Sequence, residues 1–196
     1  MRNPIHKRLE HFESWQHIAF MLCLCERMYP NFQNFCHFTA QSQSAKRYSS
    51  ILNLVWEYLT VKGIKINFES QLEKFEEVIP DINGYDFYGI YPAVDACEGL
   101  AELLHSIIAG STLEQAIKIS RLSLKTVATL LEAENQCELT DNELKQHESI
   151  QQELDVQWAI YRALNQAEKR DINLLLELKN EIREQLVSNI GIEIIK

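Results

Sequence analysis

The run "IAFMLCLC", Ile18 to Cys25, is apolar at eight consecutive positions. Wound as a helix it is hydrophobic on every face, the mark of an element buried on most sides. Cys23 and Cys25 lie inside it, with His17 and Glu26 at its ends. Side chains two residues apart on a helix point roughly 200° away from each other. These thiols therefore cannot easily share one metal or close an unstrained disulfide, and they read as small hydrophobic packing groups.

The rest of the chain supplies helices to surround such a segment. Only six glycines and four prolines occur in 196 residues, which favours long helices over many short strands. Asn3-Pro4 starts a helix to about Phe12, and Ser14 can cap a second one to Met28. Pro30 is expected to end or re-cap that helix before a short one to about Thr39. Amphipathic patterns follow over about 51–63, 67–80, 92–109, 112–134 and 148–187, the last with a break at Arg170-Asp171. Ser111 with Glu114 and Thr140 with Glu143 have capping-box spacing. The expected fold is mainly α: one domain over 1–196, a bundle of about seven to nine helices. "IKINF" and the tail "SNIGIEIIK" alternate apolar and polar residues, leaving room for one short two-stranded β element, 64–68 with 190–195. The tail's other expected partner is a second subunit, so a homodimer is possible.

The net charge of −9 disfavours nucleic acid. Residues 1–60 carry six basic and four acidic groups, and the basic ones (Lys7, Arg8 and Arg27 among them) read as a scattered, solvated set. No segment approaches the apolar length of a membrane span, and the Ile18–Cys25 run makes a poor signal-peptide core. Five cysteines at irregular spacing suit a reducing, cytoplasmic setting.

Four stretches, "NPIHKRLEHFESWQHIAFMLCLCERMYPNF", "NFESQLEKFEEVIP", "YGIYPAVDAC" and "SNIGI", resemble the YjaG-like family of small bacterial proteins, nearly end to end. The resemblance implies a bacterial, intracellular, mostly helical protein. That family is catalogued as a domain of unknown function, so no reaction and no catalytic residue is carried over.

Two polar stripes could bear chemistry. Asp95, Glu98, Glu102 and His105 share about an 80° arc of one helix, and Glu102 with His105 has the Glu-x-x-His spacing of carboxylate-bridged metal bundles. No second copy of that motif exists in the chain, and the apolar face lies elsewhere, so a solvated face is the plainer expectation. His6, Glu10, Glu13 and His17 fall within about 60° if their helix is unbroken, and two imidazoles with two carboxylates could hold a divalent metal. Ser14 as a cap would break that stripe. Tyr85, Phe87, Tyr88 and Tyr91 form an aromatic loop that either folds back over the next helix or offers a contact patch. No Gly-rich phosphate loop, Gly-x-Ser-x-Gly elbow or His-Glu-x-x-His motif is present. The leading expectation is a protein acting through protein–protein contacts, with no cofactor, no membrane and no nucleic acid. The alternative is a metal-dependent or small-molecule-binding enzyme built on the two stripes.

Overall fold

The structure, a computed structural model, describes residues 3–167, 169–185 and 187–195. Among them are nine α-helices: α1 (Ile5–Leu9), α2 (Ser14–Phe38), α3 (Ser42–Thr60), α4 (Phe68–Glu76), α5 (Ile90–Ala109), α6 (Leu113–Asn135), α7 (Asp141–Gln146), α8 (Glu148–Asn165) and α9 (Ile172–Glu184). The chain is all-α. Helix α2 is the axle: α3, α5, α6, α8 and α9 all pack against it, and every residue from Gln16 to Glu26 is buried. The apolar run thus meets helices on all sides, as its composition requires. Gly99 lets α5 come close to α2, because a Cβ there would sit 2.8 Å from the Met28 Cε. Burial pushes the Cys23 and Cys25 thiols well above their usual pKa, so both are inert packing groups.

Pro30 does not end α2. The helix continues through it for two more turns, and Pro30 itself is buried. A proline inside a helix forfeits a hydrogen bond and costs about 3 kcal/mol. Phe32, Phe35 and Cys36 beyond it enter the same core as the residues before it, and that burial outweighs the loss. Helix α3 likewise starts earlier than its apolar pattern, at Ser42.

The proposed pairing of 64–68 with 190–195 does not form. Residues 64–67 are irregular, and Phe68 opens α4, whose Asn67 cap accepts from the Ser70 N–H. The tail instead turns back on itself at Gly191 (φ 80°), with one antiparallel bridge between Val187 and Glu193. The Gln33 side-chain amide then holds both backbone groups of Ile195, at 2.8 and 3.0 Å. An amide side chain on α2 does what a neighbouring strand would otherwise do.

Other local signals hold. Thr140 and Glu143 form their capping box, Asp171 caps α9 at the expected break, and Gly110 ends α5 at φ 68°. The Ser111–Glu114 capping box does not form: Thr112 is the residue that precedes α6, and its side chain makes no cap bond but hydrogen-bonds His17.

Candidate ligand-binding cleft

Short helices α1 and α7 flank the outer face of α6 and leave an open cleft. One part, about 860 Å³, is lined by Lys7, Arg8, Glu10, Arg121 and Lys145 around Pro4 and Ile117. A second, about 610 Å³, has an apolar floor of Leu124, Ala128 and Leu144 under Arg121, Lys125 and Asp141. His6 and Arg121 line both, so the two run into each other. Five cations therefore face one cleft on a chain of net charge −9. Lys125 is paired with Asp95 at 3.2 Å. Lys7, Arg8, Arg121 and Lys145 have no ion-pair partner among the described residues. Such a cleft concentrates positive potential and attracts anions.

Beneath the cleft runs a buried polar seam joining α2, α6 and α8. Glu153, fully buried, accepts from Arg27 Nε at 2.7 Å and from the Ser123 hydroxyl at 2.7 Å. Gln157 donates to Glu153 and to the Ser120 carbonyl, both at 3.2 Å. Asn189 from the tail donates to Ser123, and Asn31 donates to Asn189. The seam reaches the cleft at His6, whose Nε2 lies 3.1 Å from the Ser120 hydroxyl oxygen. Burial, with the Arg121 guanidinium adding to it, pulls the His6 pKa down to about 4, so the ring is neutral near pH 7.

The residues singled out in the sequence go to different places. The chain turns between α1 and α2, which splits the His6–His17 stripe. His6 and Glu10 line the cleft, while Glu13 sits at the start of α2 and accepts from Trp15 Nε1 at 2.9 Å. His17 is buried: its Nε2–H donates to the Leu9 carbonyl at 2.8 Å and its Nδ1 accepts from the Thr112 hydroxyl at 2.9 Å. Both ring nitrogens are thereby engaged, and burial lowers its pKa.

The second stripe is in part the solvated face that its distance from the apolar side suggested, with Asp95 the exception. Asp95 is buried and accepts from Thr126 and Lys125, and Lys118 bridges Glu98 and Glu102 at 3.2 and 2.6 Å. These acids link α5 to α6, with His105 exposed and the Glu98 side chain partly so. Among the described residues no three His, Cys, Asp or Glu side chains gather in a way that could hold a metal ion.

The aromatic loop folds back in part, onto α2. Tyr85 meets Phe35 edge-on at 4.9 Å and accepts from Gln41 through its hydroxyl, while Phe87 stacks on Phe35 at 5.8 Å. Tyr88 packs against Tyr91, and Phe87 and Tyr91 stay 39% and 47% exposed.

The sequence profile of the family described as "Protein of unknown function (DUF416)" matches residues 4–193. The chain belongs to this DUF416 family. An uncharacterised protein of Haemophilus influenzae is 62% identical to it over 98% of both chains. The uncharacterised protein YjaG of Escherichia coli is 52% identical over 98% of this chain and 97% of its own. The crystal structure of a DUF416 family protein from Shewanella baltica superposes with a TM-score of 0.89 at 31% identity, covering 98% of this chain and 100% of that one. The resemblance to YjaG read from the sequence is therefore confirmed, and the helical fold is that of the family.

In this DUF416 chain the cleft itself was not foreseen. Its cations come from residues 7–8, 121–125 and 145, and each looks alone in the sequence like an ordinary surface charge. The one signal available was local: an otherwise acidic C-terminal two-thirds places Arg121 and Lys125 four residues apart, on one side of α6.

Proposed function

We propose that this DUF416 protein works in the bacterial cytoplasm by protein–protein contact, taking an acidic segment of a partner protein into the cleft between α1, α6 and α7. The observation that carries this is the gathering of Lys7, Arg8, Arg121 and Lys145, without ion-pair partners among the described residues, on a strongly acidic chain. A net −9 repels anions at long range, so a local cationic groove selects the partner that fits it.

Shape favours a segment over a compact anion. The cations are spread along two joined cavities, and an apolar floor continues beneath the second, which suits acidic side chains interleaved with apolar ones. The same charges disfavour a divalent cation at His6 and Glu10. No helix among the described residues is long and apolar enough to cross a membrane. Four of the five cysteines are buried and all are free, which suits a reducing compartment.

The test is fluorescence anisotropy with a short labelled peptide of alternating Glu and Leu. It is expected to bind, to weaken as salt rises, and to lose at least about tenfold in affinity in Arg121→Glu. No binding, binding unaffected by Arg121→Glu, or tighter binding of a single-stranded oligonucleotide would overturn the reading.

A further inference from the structure

Hydrogen-bond direction can be followed through the seam, because it is anchored on backbone groups. The Ile5 N–H donates to Asn3 Oδ1 at 3.1 Å, so Asn3 presents its Nδ2 to Gln157, whose Oε1 accepts at 3.2 Å. At the other end of the same amide, Gln157 Nε2 faces the Ser120 carbonyl and the Glu153 carboxylate. The carbonyl can only accept, which fixes the amide with nitrogen towards it and oxygen towards Asn3 and Ser120. The 2.7 Å contact from Ser120 Oγ to Gln157 Oε1 must then use the single hydroxyl hydrogen of Ser120. In its contact with His6, Ser120 can only accept, so His6 Nε2 carries the proton.

A neutral imidazole with its proton on Nε2 has a lone pair on Nδ1. That atom has no protein partner among the described residues, on a ring that lines both cavities. Most charged groups around it are donors, Arg121 on α6, Lys7 and Arg8 on α1 and Lys145 on α7, with the carboxylates of Glu10 and Asp141 as the acids of the two cavities. Acidic groups on a bound segment satisfy the cations but offer nothing to an acceptor.

Resting on the acidic-segment reading, we propose that His6 Nδ1 is a specificity-determining acceptor in the cleft, and that the bound segment places a Ser or Thr hydroxyl against it, between its acidic residues. A hydroxyl suits the position better than a main-chain N–H. It donates to Nδ1 and accepts from the Arg121 guanidinium that lines the same junction, whereas an amide N–H only donates. The lowered pKa of His6 supports this, since a protonated ring would have no acceptor to offer. A site built to hydrogen-bond a hydroxyl discriminates against the partner lacking it, because its own polar group is then left unpaired.

The experiment compares two labelled acidic peptides that differ only in a central Ser or Ala, with imidazole ¹⁵N spectra recorded alongside. The free protein should show His6 protonated at Nε2 and bare at Nδ1 near neutral pH. The Ser peptide should bind about tenfold tighter and move the Nδ1 resonance. His6→Ala should bind both peptides equally, while His6→Asn, which keeps an acceptor near the Nδ1 position, should restore the preference. Equal binding of the two peptides to the native protein, or a proton on Nδ1, overturns this inference and leaves the cleft reading standing. Failure of both peptides to bind sinks the cleft reading, and this inference with it.

Discussion

Helix α6 has two polar faces that the fold treats in opposite ways. On the inner face, Ser120, Ser123 and Thr126 meet Gln157, Glu153 and Asp95, and each hydroxyl has a named partner. On the outer face, Arg121 stands in an open cleft with cations of α1 and α7 around it. The inner face is the costlier to build and the outer the freer to act. A buried carboxylate such as Glu153 is tolerable only when ion-paired and fully hydrogen-bonded. Unpaired surface cations cost the fold little, and their charge remains available to a partner. What is satisfied internally specifies the structure; what is left unsatisfied points to the function.

The largest effect should come from breaking the inner face. Glu153→Ala leaves Arg27, which is mostly buried, without its carboxylate and strips Ser123 and Gln157 of an acceptor. A loss of about 3–5 kcal/mol is expected in urea unfolding. Charge reversal on the outer face should separate the two roles: Arg121→Glu is expected to stay within about 0.5 kcal/mol of native stability while abolishing salt-sensitive binding of the acidic peptide.

pH sharpens the comparison further. Both His6 and His17 are held below the usual imidazole value, chiefly by burial. The stability they contribute as neutral rings is complete above the unfolded value of about 6.5. It is lost as pH falls towards their folded values, about 4 for His6, because the unfolded chain then binds protons that the folded one refuses. Chemical unfolding at about pH 7 and about pH 5 should show native protein losing more stability than His6→Asn across that interval. The smallest change belongs to Gly99→Ala. Helix propensity gains about 1 kcal/mol, the fully buried Met28 methyl must shift to make room at a similar cost, and the melting temperature should barely move.

The core was legible in the sequence and the cleft was not, for related physical reasons. Burial of Ile18–Cys25 follows from one contiguous run whose apolar character no turn of a helix can hide. Pro30 misled because a local rule about proline says nothing of the burial waiting on either side of it. The His6–His17 stripe assumed one straight helix, whereas the turn between α1 and α2 sends His17 to the Leu9 carbonyl and leaves His6 facing outward. Asp95 looked solvated because its partners, Thr126 and Lys125, lie on the next helix. The Arg27–Glu153 pair spans most of the chain, and no spacing rule connects such residues. Sites assembled from distant segments become visible only when the fold has closed them.

The most direct measurement of the central claim is an amide ¹H–¹⁵N NMR titration of the native protein with the alternating Glu–Leu peptide. Shifts concentrated on α1, on the outer face of α6 around Arg121 and on α7, absent in Arg121→Glu, are the predicted result. Shifts centred instead on the aromatic loop around Phe87 and Tyr91, or none at saturating peptide, would contradict the assignment of this cleft as the contact surface.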